Sequence, residues 1–129
     1  MGPTKDKTLG LLGLARKAGK LQTGEETVSA MLAEKHARLT VLASDAGEAV
    51  ARKVRALAAG SRQQILVIPY DKLTLGDALG RPVVSVAAFT DVSMALSFVK
   101  TLPPGTAGPE LVAELERRVA RVQAKRKKN

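Results

Sequence analysis

Residues 9–26 read LGLLGLARKAGKLQTGEE, and this stretch contains the signals that predict how the fold begins. Leucine and alanine recur at helical spacing in its first half, and Gly19 closes that pattern, which predicts a helix over about residues 5–18. Residues 21–22 leave room for only a short strand. A second helix then follows over about residues 23–35. A helix, a short strand and another helix therefore open the chain.

The remainder of the chain continues this alternation of strands and helices. Apolar runs predict strands at Leu39–Ala43, Ile65–Ile68 and Val83–Ala88. Helical spacing predicts helices at Gly47–Ala59, Asp71–Leu79 and Asp91–Leu102. Alternation at such short spacing predicts an α/β fold, a three-layer α-β-α sandwich around a small mixed four-stranded sheet. We expect all of its strands except the short first one to be buried.

Composition divides the chain at residues 103–109, whose sequence PPGTAGP is typical of a linker. Residues 1–102 are predicted to form one domain, and residues 110–129 a basic amphipathic C-terminal helix and tail. The apolar stripe of that helix consists of Leu111, Val112, Leu115, Val119 and Val122. The sequence leaves open whether this helix packs on the domain, pairs with another chain or folds onto RNA.

The charge of the chain points to nucleic acid. Its 129 residues include 21 Lys and Arg against 12 Asp and Glu, so the net charge is +9. Residues 1–20 and 103–129 contribute +4 each, while the stretch between them is nearly neutral. Such an excess attracts phosphates. With only three aromatic residues in the chain, base stacking on aromatic platforms is not expected.

Several function classes find no support in the sequence. The chain has no Cys, which excludes disulfides, thiolate zinc sites and Cys nucleophiles. His36 is the only histidine, so no metal site is predicted, and neither Ser44 nor Ser85 has a His within a plausible triad. Phosphate-binding glycine motifs are also absent. We therefore expect no enzyme, cofactor, metal or small-molecule substrate. Without a membrane span or signal peptide, we expect a cytoplasmic protein with no membrane partner.

The segment Thr23-Gly24-Glu25-Glu26 has two interpretations. In the first it is a capping box, in which Thr23 caps the second helix and Glu26 reaches back to the Thr23 amide. In the second, the unobstructed backbone of Gly24 brings the helix N-terminus against an RNA groove. The carboxylates of Glu25 and Glu26 then accept hydrogen bonds from base amino or imino groups.

The segment Leu75-Gly76-Asp77-Ala78-Leu79-Gly80 also has two interpretations. Its small residues predict close packing of a short helix, ended by a glycine C-cap. Alternatively, Arg81 and Pro82 follow on an exposed turn that is well placed for a phosphate or a flipped nucleotide.

Four short motifs in register resemble a known family. They are Leu11–Lys20, Thr23–Glu26, Leu42–Ala46 and Leu75–Gly80. In this order they resemble the kink-turn RNA-binding ribosomal protein superfamily (ribosomal L-seven-Ae type), and in particular its bacterial YlxQ-like branch, over about residues 9–102. The resemblance implies a three-layer α-β-α fold. It also implies binding of RNA bends that are built around sheared G·A pairs.

The resemblance further implies which residues contact RNA. The guanine-reading signature falls on Thr23–Glu26, with Glu25 in place of its usual Asn, and Ser29 stands where a guanine-reading Lys is common. Lys72 matches a phosphate-contacting Lys, and residues 81–84 match the loop that covers an extruded nucleotide. Including phosphate contacts from the basic termini, the predicted RNA-binding residues are Gly24, Glu25, Glu26, Ser29, Lys17, Lys20, Lys72, Arg81, Val83, Val84, Lys125, Arg126, Lys127 and Lys128.

We therefore expect a non-enzymatic RNA-binding protein that is associated with the ribosome or with translation. Its partner would be a structured RNA, either ribosomal RNA or another kink-turn-like RNA. The alternative is a protein-interaction adaptor with the same fold and only non-specific RNA affinity. A third hypothesis, the substrate-binding part of an RNA methyltransferase, is disfavoured because no cofactor domain fits in 129 residues.

Overall fold

The computed structural model describes residues 6–128, so Lys5, at the predicted start of the first helix, lies outside the described residues. Strands and helices alternate along the chain as the sequence predicts. The elements are α1 (Lys7–Lys17), β1 (Leu21–Thr23), α2 (Glu25–Ala33), β2 (Leu39–Leu42), α3 (Glu48–Ala58), β3 (Ile65–Val67), α4 (Lys72–Ala78), β4 (Val86–Phe89), α5 (Val92–Thr101) and α6 (Pro109–Lys128).

The four strands form one mixed sheet in the order β1-β4-β2-β3. β4 is antiparallel to both β1 and β2, whereas β2 and β3 are parallel. β1, β2 and β3 therefore run in one direction and β4 runs against them. We call the end where β1, β2 and β3 finish and β4 begins the carboxyl end of the sheet, and the opposite end the amino end.

Helices cover both faces of the sheet and make the three-layer α-β-α sandwich. Side chains alternate between the faces, so along β2 Val41 packs into one core and Leu42 into the other. The first core lies between the sheet and α1, α4, α5 and α6, and it contains Phe89 and Phe98, whose ring centroids are 5.2 Å apart. The second core lies between the sheet and the pair α2 and α3, around Val28.

α6 packs on the domain, which is one of the three arrangements that the sequence leaves open. Leu115 is fully buried in the first core, and the rest of the apolar stripe is partly buried against it. The guanidinium of Arg118 donates a hydrogen bond to the backbone oxygen of Arg62 at 2.9 Å, which fixes α6 to the loop before β3. Pro109, predicted as linker, is the first residue of α6, a position that suits the fixed φ of proline.

Two of the predicted strands differ from the observed ones. β4 begins at Val86 rather than at Val83, because the amide of Val84 donates to the carbonyl of Lys72 at 3.0 Å instead of to a strand. β3 is an edge strand rather than a buried one, and Val67 is 44% exposed. An edge strand has one strand neighbour only, so its hydrophobic sequence alone does not reveal its position.

Candidate nucleic-acid interface

The carboxyl end of the sheet brings together segments that are far apart in the sequence. The amide of Gly24, directly after β1, donates to the carbonyl of Val86 at 3.1 Å. The amide of Ser44, which follows β2, donates to the carbonyl of Tyr70, which follows β3, at 2.9 Å. These bonds hold the starts of α2 and α4 and the loop before β4 on one surface.

α2 begins on this surface without a side-chain cap. Gly24 is its N-cap residue with φ of 102°, a conformation that favours glycine. None of the described side chains accepts a hydrogen bond from the first turn of α2, so the backbone amides there remain available to a ligand. The capping-box interpretation is therefore wrong. Thr23 is instead the last residue of β1, where it pairs with Ala87.

Two carboxylates flank the start of α2, and their surroundings differ. An oxygen of Glu25 lies 3.7 Å from the Nζ atom of Lys53 on α3, in an ion pair between half-exposed side chains. Glu26 is exposed, and within residues 6–128 it forms no ion pair. Glu26 is therefore the carboxylate that is free to accept a hydrogen bond from a ligand.

The start of α4 is held by two aspartates. Asp45, just after β2, accepts a hydrogen bond from the amide of Lys72 at 2.8 Å. Asp71 caps the helix by accepting from the amide of Thr74 at 2.7 Å, and this hydrogen bond lowers the pKa of Asp71 below its usual value. Lys72 is thereby fixed at the carboxyl end. The sequence offers a signal for Asp45, an acidic residue directly after a buried strand, but we had not predicted its role in fixing α4.

The loop from α4 to β4 packs closely on α4. A β-carbon on Gly76 would lie 2.6 Å from the carbonyl oxygen of Arg81 and 2.8 Å from that of Pro82, so only glycine fits there. Gly80 has φ of 69° and the amide of Arg81 donates to the carbonyl of Gly76 at 2.8 Å, which confirms the predicted glycine C-cap. The side chain of Arg81 is exposed on this loop.

Apolar side chains on this surface are only partly those predicted. Val83 is 47% exposed, whereas Val84 is 2% exposed and supports the loop from the core, which corrects its assignment as an RNA contact. Leu73, in the first turn of α4, is 63% exposed and was missed. The sequence contains a signal for this exposure, because Leu73 and the buried Leu75 are two positions apart and so do not share a helix face.

Ser29 does not contribute to this surface. Its hydroxyl oxygen is buried and has no hydrogen-bond partner in the described part of the chain. A buried hydroxyl on α2 cannot reach a ligand at the helix start, which corrects its assignment as an RNA contact.

The predicted phosphate contacts of the N-terminal region lie at the amino end instead. Lys17 is the exposed last residue of α1, and Lys20 precedes β1. The amide of Thr90, which follows β4, donates to the carbonyl of Lys20 at 3.0 Å. Nζ of Lys20 is 4.0 Å from the carboxylate of Asp91. These lysines are therefore separated from Gly24 by the length of a strand, roughly 10 Å.

The C-terminal basic residues also lie away from the carboxyl end. Lys125 borders a groove with Arg38, which precedes β2, and with Val92, which follows β4. Arg126 and Lys127 are exposed on the same helix, and the side chain of Lys128 lies outside the described residues. The structure thus does not bring the C-terminal cations together with the start of α2.

The three aromatic residues of the chain offer no exposed ring for base stacking. Phe89 and Phe98 are fully buried. Tyr70 is half-buried and its hydroxyl donates to Asp6 at 2.8 Å; burial and this hydrogen bond raise the pKa of Tyr70. Recognition of a nucleic acid here would therefore use polar, charged and aliphatic groups.

Within residues 6–128, no three His, Asp or Glu side chains converge as a metal site would require. His36 is exposed just beyond the end of α2. No helix in the described part of the chain is long and apolar enough to cross a membrane.

Comparison with known proteins gives consistent matches. A sequence model of the ribosomal protein L7Ae/L30e/S12e/Gadd45 family matches residues 6–98. The RNA-binding protein YlxQ of Bacillus subtilis is 31% identical over 96 residues, which cover 71% of this chain and 91% of that protein. The RNA-binding protein YlxQ of Enterococcus faecium is 41% identical over 51 residues, which cover 40% of this chain and only 50% of that protein.

Solved structures share the fold. A Bacillus halodurans protein of unknown function superposes with a TM-score of 0.68 at 29% identity, over 75% of this chain and 97% of that one. A Giardia lamblia 15.5kD RNA binding protein superposes with a TM-score of 0.57 at 15% identity, over 84% of each chain, and shows likeness of fold alone. α6 lies beyond the residues that the family matches.

Proposed function

The chain belongs to the ribosomal protein L7Ae/L30e/S12e/Gadd45 family, and on this premise we propose that it recognises a bent, kink-turn-like RNA through the carboxyl end of its sheet. Family membership and RNA-binding relatives support the broader activity, that of a non-enzymatic RNA-binding protein. Association with the ribosome or the translation apparatus, and with it a cytoplasmic location, is part of the proposal. The partner is ribosomal RNA or another structured RNA that contains such a bend.

The open start of α2 is the observation that carries this proposal. Gly24 is exposed, and no other part of the described chain lies within 4 Å of where its β-carbon would be. An RNA backbone or base edge can therefore approach the uncapped amides directly, where they donate hydrogen bonds and the helix dipole favours negative charge.

The other residues of the carboxyl end have complementary roles in this proposal. Glu26 accepts hydrogen bonds from base amino or imino groups, and Glu25 contributes after exchanging its ion pair with Lys53. Lys72 and Arg81 contact phosphates and so set the position of the RNA. Leu73 and Val83, both exposed and apolar, cover an extruded nucleotide.

A protein-interaction adaptor remains the second candidate, and two observations favour it. Glu25 has a carboxylate, which accepts hydrogen bonds but does not donate them and is already paired with Lys53, and the hydroxyl of Ser29 is buried. Neither position that the resemblance assigns to guanine reading therefore offers an exposed donor. An adaptor would keep the fold and bind RNA only through net charge.

A titration with three RNAs separates the two candidates. The RNAs are a kink-turn, the same RNA with its G·A pairs disrupted, and a plain duplex, each at several salt concentrations. We expect the kink-turn to bind at least about tenfold more tightly than either control, because one good base contact contributes roughly 1–3 kcal/mol. Equal affinities at every salt concentration would favour the adaptor instead.

A further inference from the structure

A basic groove lies at the amino end of the sheet, between α6 and the loops that follow α2 and α3. Its volume is about 480 Å³. Among the described residues, six basic residues and one acidic residue, Glu114, line it, so the net charge of the lining residues is +5. The basic residues are Lys35, Arg38, Arg62, Arg118, Arg121 and Lys125.

Most of these cations are available to a ligand. Glu114 pairs with Arg118 at 2.7 Å and with Arg121 at 3.7 Å, and thereby holds these two arginines along α6. The other four side chains are exposed and form no ion pair or side-chain hydrogen bond within residues 6–128. They are Lys35, Arg38, Arg62 and Lys125.

Two of the free cations are held in a backbone conformation that favours glycine. Lys35 has φ of 61° and Arg62 has φ of 59°, and in residues 6–128 no other non-glycine residue has positive φ. α1 and α4 end with glycine at the equivalent position, Gly19 and Gly80, whereas α2 ends with Lys35. A residue with a side chain is strained in this left-handed backbone conformation. Strained backbone conformations of this kind cluster at functional sites. Both residues that adopt this conformation among residues 6–128 therefore border the groove.

The groove differs from the carboxyl end in its position and in the part of the chain that forms it. It lies at the opposite end of the sheet, roughly 10 Å away along the strands. α6 forms one of its walls and lies beyond residues 6–98, which match the family. We infer that the groove is a second, sequence-independent RNA site, which holds the phosphate backbone of a different RNA segment from the one at the carboxyl end. A single chain would then bridge two RNA segments.

The shape of the charge favours an extended polyanion. Arg118 and Arg121, both paired with Glu114, are followed along a face of α6 by Lys125, over roughly 10 Å in all. Exposed Arg126 and Lys127 continue the positive charge beyond the groove. A single small anion would not use such a row. The described residues that line the groove include no aromatic one, as base stacking would require. The identification of this polyanion as RNA rests on the proposed function. The charge and the geometry of the groove are independent of that function.

Binding of a plain RNA duplex, which lacks G·A pairs, tests the groove independently of the carboxyl end. In the full chain, Lys35→Gly combined with Arg62→Gly should weaken duplex binding about tenfold and reduce the salt slope of log K by roughly 1.5. Its melting temperature should stay the same or rise, because glycine suits both backbone positions. A second variant, Arg38→Ala with Lys125→Ala, should weaken the duplex similarly.

The matched control is Arg52→Ala with Lys100→Ala, which removes two exposed charges outside the groove. Equal weakening by the control and the groove variants would overturn the inference, as would an unchanged duplex affinity in both groove variants. Poly-glutamate is added as a competitor of the duplex and compared with unlabelled RNA of equal total charge. If the two compete equally, the inference is overturned in favour of an acidic protein partner.

A capture experiment tests bridging. A protein saturated with immobilised kink-turn RNA should still retain labelled duplex, and the groove variants should lose that duplex while keeping the kink-turn. Displacement of the kink-turn by the duplex would overturn the two-site arrangement. If the kink-turn shows no preference in the three-RNA titration but duplex binding still follows the groove variants, the proposed function fails and the second site stands.

Discussion

The carboxyl end of the sheet and the amino-end groove differ in both charge and rigidity. Among the carboxyl-end residues discussed above, four are acidic and three are basic, whereas the described lining of the groove has one acidic and six basic residues. The carboxyl-end residues are Glu25, Glu26, Asp45, Asp71, Lys53, Lys72 and Arg81. Backbone hydrogen bonds and a glycine that tolerates no side chain fix the carboxyl end. The groove presents four cations on long side chains that form no ion pair within residues 6–128.

This difference indicates that electrostatic attraction of RNA and discrimination between RNAs belong to separate surfaces. A nearly neutral surface with fixed donors gains little from net charge, so what it binds depends on geometry. A groove with a net charge of +5 attracts any phosphate backbone and loses affinity as salt rises. Three changes would break or sharpen the contrast.

The largest effect is expected at Gly76, where the fixed geometry of the carboxyl end is tightest. Gly76→Ala places a β-carbon 2.6 Å from the carbonyl oxygen of Arg81, so the loop must move away from α4. We expect a loss of about 2 kcal/mol in the free energy of unfolding, measured in urea. Kink-turn binding should weaken as well, while the salt slope for a plain duplex stays the same.

Gly10 provides the matched control for that change. It lies in α1, and the described chain has no atom within 4 Å of where its β-carbon would be. Gly10→Ala should stabilise the protein by about 0.5–1 kcal/mol through helix propensity. If both variants changed stability in the same direction, the tight contact at Gly76 would not be what holds the loop.

A smaller effect is expected at Glu26. This change tests base reading separately from attraction by net charge. Glu26→Ala should weaken the kink-turn about tenfold, since a base contact contributes roughly 1–3 kcal/mol, and leave the plain duplex unchanged. Glu34→Ala removes the same charge beyond the end of α2 and should affect the kink-turn, the disrupted kink-turn and the duplex equally. Equal changes for all three RNAs in the Glu26 variant would mean that the carboxyl end reads no bases.

The smallest effect is expected from acid, through Glu114, the acidic residue among the described lining of the groove. Hydrogen bonds from Arg117 and Arg118 lower the pKa of Glu114 from its ordinary 4.5 to about 2. Because the pKa is lower in the folded chain, this contribution to stability is present above about pH 4.5 and is lost as the pH falls through about 2. The carboxyl carbon of Glu114 should therefore titrate near pH 2 by NMR.

Acid unfolding of a Glu114→Gln variant provides the companion measurement. This variant should lose the part of the pH dependence that lies between about 2 and 4.5. A titration midpoint near 4.5 for Glu114 in the wild-type chain would show that its arginine partners do not hold it.

Local patterns in the sequence predict most of the elements and the layered architecture. Asp91 caps α5 as predicted, with its carboxylate accepting from the amide of Met94 at 2.8 Å, and Gly80 ends α4. Both features depend on residues a few positions apart. The sheet is mixed, as predicted, although the antiparallel placement of β4 between β1 and β2 depends on long-range pairing.

The predictions fail where pairing between residues far apart in the chain determines the position of a residue. Thr23 has the local signature of a helix cap, but it is the last residue of β1 and pairs with β4, far along the chain. The basic N-terminal segment predicts Lys20 as a phosphate contact, and no local pattern shows that β1 separates Lys20 from Gly24 along its length. No local pattern marks Lys35 as left-handed either, since glycine is the residue that such a position predicts. The division between the two surfaces is thus a property of the sheet.

The strand order has a consequence for the synthesis of this protein. β4 is the last strand in the chain, yet it lies between β1 and β2 and is the only strand neighbour of β1. A nascent chain that leaves the ribosome from its N-terminus therefore cannot complete the pairing of β1 until Phe89 has emerged. The hydrogen bond from Gly24 to Val86, which sets the start of α2, must wait as well. Such long-range pairing slows folding. The carboxyl-end surface consequently becomes able to bind only when most of the chain has been translated.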